Sequence, residues 1–294
     1  MRQDLRPIAT IGFIGLGVMG EAMCANLARR AGCRVLGHDR RQEPMDRLAA
    51  QGVQPATADQ IAASCDLLLL SLPDGKAVQT VIDVLQPHLA PGQCVIDTST
   101  SPVELTRELG PRLERSGIGF ADAPVARTRE AAERGELSIM VGASAETFAH
   151  VEPILRTMGT DATHCGEIGC GQVVKILNNM LLFQNVAALA EAIALGRRNG
   201  VAPDMLLDAV SKGSGDSFAL RSHGMKAMVP RAYPERAFST RYAMKDLSYA
   251  LAMADAANVA VPGARLAMER LRAAEQGGHG DEYHPVVLEV IDPQ

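Results

Sequence analysis

Between Ile8 and Asp39 the chain sets an apolar run, Ile8–Ile14, directly before Gly15-Leu16-Gly17-Val18-Met19-Gly20, and a helical pattern opens within those residues. The next apolar run, Arg34–His38, is closed by an acid, Asp39, 19 residues beyond Gly20. Few backbones satisfy this spacing. The first glycine permits a tight turn, the second leaves room for a group to approach the backbone, and the third lets the helix pack against the strand. The amides at such a helix start form an anion site that the helix dipole reinforces. Strand, glycine turn, helix and acid together predict a βαβ unit that cradles a dinucleotide pyrophosphate, with Asp39 accepting the adenosine ribose hydroxyls. The alternative is a set of glycines that serve only a tight connection between strand and helix. A 2′-phosphate would meet Asp39 as a like charge, at a cost of about 1–4 kcal/mol near a surface, which favours NAD over NADP. Arg40 and Arg41 cut the other way if either pairs with a phosphate, and belong to a solvated helix start if neither does.

The same alternation continues through the first half. Short apolar runs at Leu67–Leu70, Cys94–Asp97, Gly119–Asp122 and Ser138–Val141 are bounded by turn signals such as Pro73–Gly75 and Pro91–Gly92, with helical periodicity between them. This predicts an α/β fold, a doubly wound parallel sheet of Rossmann type over residues 1–166. Beyond 166 the β-type runs stop. Periodic stretches rich in Ala, Leu and Met follow at Gly171–Gly200, Pro203–Val210, Ser217–Met228, Tyr242–Ala257 and Pro262–Glu275, so residues 167–294 are expected to form an all-α domain. The first of these helices is apolar nearly all round, which predicts burial by a second copy of the chain, as a homodimer or homotetramer.

Composition removes several function classes. The chain has 294 residues, of which 47% are hydrophobic and 21% charged, with 29 basic against 34 acidic residues; it lacks the basic surplus that a nucleic-acid binder needs. Aromatics at 3% and no Trp leave few stacking platforms. Six scattered cysteines without a C-x-x-C pair suit a reducing, cytoplasmic compartment. The start of the chain, MRQDLRP and then IATIGFIGLG, lacks the pattern of a signal peptide, and Met180–Leu195, interrupted by Gln184, Asn185 and Glu191, reads as too polar to span a bilayer. Seven dispersed histidines without ligand spacing predict no metal site, and no G-x-S-x-G supports hydrolase chemistry.

A second chemical constellation lies in Val173–Asn179. Lys175, Asn178 and Asn179 stand at i, i+3 and i+4, on one face of the long helix among Val, Ile, Leu and Met. Polar groups on a buried face need partners. A lysine held there can hand a proton to a carbonyl oxygen as it becomes an alkoxide, while a neighbouring amide fixes the substrate. The alternative is a Lys that reaches solvent and Asn residues that bond to loops.

In order along nearly the whole chain, IGFIGLGVMGEAMCANL, SLPD (Ser71–Asp74), DTSTSP (Asp97–Pro102), DAPV (Asp122–Val125), GQVVKILNN (Gly171–Asn179) and MKDL (Met244–Leu247) resemble the successive motifs of the β-hydroxyacid dehydrogenases, the 3-hydroxyisobutyrate dehydrogenase family. The resemblance implies hydride transfer between a nicotinamide dinucleotide and the carbinol carbon of a short 3-hydroxyacid. It implies Lys175 as catalytic acid/base, Asn178 and Asn179 as substrate-positioning residues, Thr100 and Lys245 beside the nicotinamide end, and Leu72 and Pro73 on the adenosine side.

One loop departs from the family pattern. Where the family usually reads D-A-P-V-S-G-G, this chain reads Asp122-Ala-Pro-Val-Ala126-Arg127-Thr128. An Arg at a substrate loop can make bidentate bonds to an oxyanion, and Thr128 offers a hydroxyl; otherwise Arg127 is a surface residue paired with Glu130 or Glu133 at helical spacing. The loop resembles that of the sulfolactaldehyde reductases, which implies reduction of 3-sulfolactaldehyde to 2,3-dihydroxypropane-1-sulfonate. The competing readings are a carboxylate-specific dehydrogenase of 3-hydroxyisobutyrate or tartronate semialdehyde type, an imine reductase, which normally lacks this Lys, and a non-catalytic dinucleotide-binding regulator, which would have no use for Lys175 and its Asn partners.

Overall fold

The computed structural model describes residues 4–235 and 237–293; the first three residues of the N-terminal segment read above lie outside them. The chain divides into two compact units, the first ending at Lys175 and the second beginning at Ile176.

The first unit is a nine-stranded sheet flanked by helices. Its parallel part comprises β1 (Thr10–Ile14), β2 (Arg34–His38), β3 (Gln54–Pro55), β4 (Leu67–Leu70), β5 (Cys94–Asp97) and β6 (Gly119–Asp122), in the order β3-β2-β1-β4-β5-β6. The order reverses between β1 and β4. That is the switch point at which ligands bind outside the carboxyl ends of an open sheet. The leucines of β4 show why the middle strands are unbroken apolar runs: Leu67 and Leu69 pack into the core on one face and Leu68 and Leu70 into the core on the other, all four fully buried.

The far edge differs from the sequence reading. β8 (Leu137–Gly142) runs antiparallel to β6 and to β7 (Val125–Ala126), with the six-residue helix α6 (Arg129–Arg134) between β7 and β8. β9 (Gly159–Gly166) pairs parallel with β8 and was missed, since its sequence, GTDATHCG, is that of a mostly exposed edge strand with no apolar alternation. Of the remaining helices, α1 (Val18–Arg30), α2 (Gln42–Ala49), α3 (Ala58–Ser64), α4 (Gly75–Leu85), α5 (Val103–Glu114) and α7 (Ala145–Leu155) accompany the strands.

Helix α8 (Cys170–Arg198) starts in the first unit and continues into the second, where α9 (Pro203–Val210), a π-helical stretch at Leu220–Met228, α10 (Thr240–Ala256), α11 (Pro262–Ala274) and α12 (Val287–Ile291) follow. Among the described residues of the second unit the only β pairing is the isolated bridge between Ser239 and Tyr283. The glycine-rich tail near 277–280 is held inside this unit: Arg241 pairs with Asp281, and the Tyr283 hydroxyl meets His223 Nδ1 at 2.5 Å. By length and composition alone α8 is apolar enough to cross a membrane, a correction to the sequence reading, although core helices pass the same test. Ile176, Phe183, Val186, Ala190 and Ile193 are buried, whereas Val174, Leu177, Leu181 and Leu195 remain exposed along it.

Candidate active site

All the strand ends that matter face one edge of the first unit. At the end of β1, Gly15 has φ +95°, and a Cβ there would lie 2.2 Å from the Ser71 carbonyl oxygen; a Cβ on Gly20 would lie 2.0 Å from the Gly15 carbonyl oxygen. Those two glycines are therefore required by the packing of turn against strand and helix. Gly17 is different: it has φ −72°, and nothing lies within 4 Å of where its Cβ would be. Packing does not demand glycine there, and the open space fits close approach by a ligand. Gly17 is also the N-cap of α1 with no side-chain cap, so the first-turn amides present their N–H groups to an anion.

Asp39, at the end of β2, is coupled to this turn. Its Oδ2 accepts a bond from the Leu16 amide at 2.7 Å, and its Oδ1 one from the Arg41 amide at 2.9 Å, with the Arg41 guanidinium at 3.3 Å. Burial works to raise the Asp39 carboxyl, but the Arg41 and Leu16 amides together with the Arg41 guanidinium outweigh it and hold the group below its usual value. A carboxylate has acceptor capacity for about four bonds, so ribose hydroxyls fit alongside these amides. Around the turn Leu16 is buried, Met19 half-buried, and Val18 and Arg40 exposed. The cradle fits a dinucleotide: the amides beside Gly17 would hold its pyrophosphate and Asp39 a ribose.

The ends of β4, β5 and β6 are knitted together. The Leu72 amide donates to Ser99 Oγ at 2.9 Å, with exposed Pro73 following. Thr100 sits half-buried between Ser99, whose amide donates to Asp97 Oδ1, and Ser101, whose hydroxyl donates to Asp97 Oδ2. Asp97 and Asp122 are register partners at the ends of β5 and β6. Asp122 is fully buried; it accepts from the Gly169 amide at 2.7 Å and the Gln172 amide at 2.8 Å, while burial pushes its carboxyl up to about 6. It thus anchors the first turn of α8, on which Lys175, 8% exposed, follows three residues after Gln172.

One turn further on, in the second unit, Asn178 is exposed and Asn179 buried; Asn178 Nδ2 donates to Asn179 Oδ1 at 3.1 Å, and Asn179 Nδ2 to Asp246 Oδ2 at 2.7 Å. Asp246 is 3% exposed, and its Oδ1 lies 3.0 Å from Lys245 Nζ, near enough for an ion pair but outside hydrogen-bonding geometry. The Lys245 ammonium is 5.5 Å from the ring centroids of both Tyr242 and Tyr249. Asp97, Asp122, Gln172 and Asp246 escaped the sequence reading. The available signals were that two successive strands end in Asp and that all four residues lie within the motifs DTSTSP, DAPV, GQVVKILNN and MKDL.

The loop after β6 departs from expectation. Ala126 is buried on β7, and the Thr128 hydroxyl caps α6 by accepting from the Ala131 amide at 3.3 Å. Arg127 has φ +88°, an unusual conformation for a non-glycine residue. Its guanidinium donates to the Glu136 carbonyl at 2.6 Å and Thr160 Oγ1 at 3.0 Å, and pairs with Asp161 at 2.7 Å. Neither Glu130 nor Glu133 is its partner; Glu133 pairs with Arg129. Sequence spacing could not reveal Asp161, which β9 brings from 34 residues away. Among the described residues no group of three or more His, Cys, Asp or Glu side chains could hold a metal ion.

The two loop glycines with different roles give a direct test. Gly17→Ala is expected to leave the melting temperature nearly unchanged and weaken NADH binding at least about tenfold, because the methyl fills only ligand space. Gly20→Ala is expected to destabilise the fold itself, because its Cβ overlaps backbone. NADH fluorescence titration with thermal melts separates the two; unchanged binding in Gly17→Ala would move the pyrophosphate away from that residue.

Residues 10–168 match the family model described as the NAD binding domain of 6-phosphogluconate dehydrogenase, and residues 169–291 the one described as NAD-binding of NADP-dependent 3-hydroxyisobutyrate dehydrogenase. The chain is 37% identical over 266 residues to the 3-hydroxyisobutyrate dehydrogenase of Pseudomonas aeruginosa, covering 87% of this chain and 89% of that one. It is 35% identical over 289 residues to the 2-(hydroxymethyl)glutarate dehydrogenase of Eubacterium barkeri, covering 95% and 94%. The solved structure of the Mycobacterium tuberculosis 3-hydroxyisobutyrate dehydrogenase with L-serine superposes with a TM-score of 0.89 at 29% identity, over 97% of this chain and 99% of that one. With the glycine cradle, the acid at Asp39 and matches along both halves, the chain belongs to the 3-hydroxyisobutyrate dehydrogenase family of nicotinamide-dependent hydroxyacid dehydrogenases.

Proposed function

We propose that this enzyme interconverts a short primary alcohol bearing an anionic group and the corresponding aldehyde, with Lys175 as the acid/base. One observation carries the reading: a buried lysine lies on a helix whose first turn is bonded to the strand end at Asp122, in the same unit as the dinucleotide cradle. A nicotinamide dinucleotide held in the glycine cradle would supply the hydride in reduction or take it up in oxidation. Lys175 gives a proton to the oxygen when an aldehyde is reduced and removes it when an alcohol is oxidised. Asn179, its amide pre-oriented by Asn178 and Asp246, holds the substrate. NAD is the proposed cofactor because an acid at Asp39, bonded to the glycine turn, would meet a 2′-phosphate as a like charge; exposed Arg40 and Arg41 lend NADP some compensation.

The relatives named for 3-hydroxyisobutyrate and 2-(hydroxymethyl)glutarate act on alcohols that carry a carboxylate, and this class leads the proposal. The sulfolactaldehyde reading keeps the Ala126–Thr128 loop in its favour, but the Arg127 guanidinium that favoured it is occupied by Asp161, Glu136 and Thr160. The test is a panel of 3-hydroxyisobutyrate, 2-(hydroxymethyl)glutarate, L-serine and 2,3-dihydroxypropane-1-sulfonate with NAD and NADP. A carboxylated alcohol with NAD should give the highest kcat/KM, and Lys175→Ala should lower kcat at least about a hundredfold with dinucleotide affinity nearly unchanged. Near-normal turnover in that variant would remove Lys175 from the mechanism.

Arg127→Gly separates the two anions. It relieves a left-handed backbone, worth about 1–2 kcal/mol, but gives up an exposed ion pair worth about 0.2–1 kcal/mol and the hydrogen bonds to the Glu136 carbonyl and Thr160 Oγ1, worth about 0.5–1.5 kcal/mol each, so stability should hold or fall slightly. The ratio of sulfonate to carboxylate kcat/KM should stay within about threefold of wild type. A tenfold fall would show that the guanidinium leaves Asp161 for a sulfonate.

The exposed side chains along α8, Leu181 at 58% and Leu195 at 67% among them, support association of two or four copies. Light scattering at micromolar concentration should give at least twice 31.2 kDa, and a monomer would remove this part of the proposal.

A further inference from the structure

Gln172 is fully buried on the first turn of α8, and both atoms of its amide are spent on one short piece of chain. Its Oε1 accepts from the Ser101 amide at 3.0 Å and its Nε2 donates to the Ser99 carbonyl at 2.7 Å, so it grips Thr100 from both sides. Its own backbone amide is bonded to Asp122 Oδ2. The adjoining Gly171 is packed so closely that a Cβ would lie 2.4 Å from the Met140 carbonyl oxygen, which leaves this turn of helix no room to slide. Gln172 and Lys175 are three residues apart and share a helix face.

We infer that Gln172 is a positioning residue that fixes the spacing between Thr100 and Lys175, so that the loop beside the proposed nicotinamide end and the proton-transferring amine move as one body. The inference rests on the reading of Lys175 as acid/base. An amide is the suitable side chain for this task because one flat group supplies both an acceptor and a donor. A misplacement of about 1 Å at a reacting centre can cost about a hundredfold in rate. The effect of losing the clamp should therefore fall on kcat, while dinucleotide affinity, held by the Gly17 and Asp39 end, stays put.

Two substitutions test it. Gln172→Met removes both bonds and should lower kcat at least tenfold at every pH, with KM for NAD within about threefold of wild type. Gln172→Glu should behave differently, because a protonated carboxyl can still donate to Ser99 and accept from Ser101, whereas an ionised one cannot donate and opposes the Ser99 carbonyl. The ionisable groups bonded around it are Asp97, which holds Ser99 and Ser101, and Asp122, which holds the Gln172 backbone amide, and both favour the protonated form; Lys175, three residues on along α8, opposes it. Its kcat relative to wild type should then fall at least tenfold as pH rises, a change that a purely structural role would not produce in folded protein. Both variants are assayed with NAD and the fastest of the four alcohols, alongside thermal melts. Folded Gln172→Met with kcat within threefold of wild type, while Lys175→Ala is inactive, overturns the clamp and leaves the acid/base reading standing; an active Lys175→Ala overturns that reading instead. If neither variant folds, amide hydrogen exchange on the wild type decides: Ser101 should exchange as slowly as Val95 and Ile96 of β5, and exchange a hundredfold faster would overturn the inference.

Discussion

Asp122 is the residue on which the Lys175 end of the first unit depends. A carboxylate with no exposure to water is expensive unless its lone pairs are used. Here they are used by the amides of Gly169 and Gln172, two of the donors that a helix start leaves without intrahelical partners. Each side solves the other's problem. Hydrogen bonds to a charged acceptor contribute about 1.5–3 kcal/mol each, enough to set the position of the long helix's first turn against the end of β6. Burial and the neighbouring Asp97 nonetheless keep the Asp122 carboxyl high, at about 6. Its folded value lies above the unfolded one, so its contribution to stability is complete below the ordinary Asp value and is lost as pH rises through about 6.

The two ends of the sheet edge use different physics. The cofactor end relies on backbone: a left-handed Gly15, an open Gly17, and helix amides without a side-chain cap. The end proposed for the reaction relies on buried side chains that satisfy one another, Asp97 with Ser99 and Ser101, and Gln172 with the same segment. Backbone suits a ligand whose phosphates are common to many enzymes. Side-chain networks suit atoms that must be held to fractions of an ångström.

Arg127 shows how a single substitution in a loop can mislead when read along the chain. Its charge and planar fork fit an anion, and the loop lies after a strand that ends at the site. Yet the residue adopts a glycine-like conformation, and its guanidinium turns to Asp161 on the edge strand. The Thr128 hydroxyl oxygen is likewise engaged locally, as a helix cap. The two residues that suggested a sulfonate have structural work in this fold.

The amino-acid sequence by itself determined the glycine turn, the acid at Asp39, the parallel pairing of the apolar strands, the helical second half, and the helix that carries Lys175, Asn178 and Asn179, though not that Asn178 is exposed while the other two are buried. All of these follow from local spacing and from the periods of strands and helices. It did not determine β9, whose exposed edge position leaves no apolar pattern, nor the antiparallel turn at β8. The partners of the site residues were also decided by tertiary structure alone: Gln172 reaches Ser101 across 71 positions, Asn179 reaches Asp246 across 67, and Arg127 reaches Asp161 across 34. Hydrogen bonds and ion pairs act over about 3–4 Å in space and carry no periodicity along the chain, so which polar groups meet is settled only when the strand ends and helices are brought together.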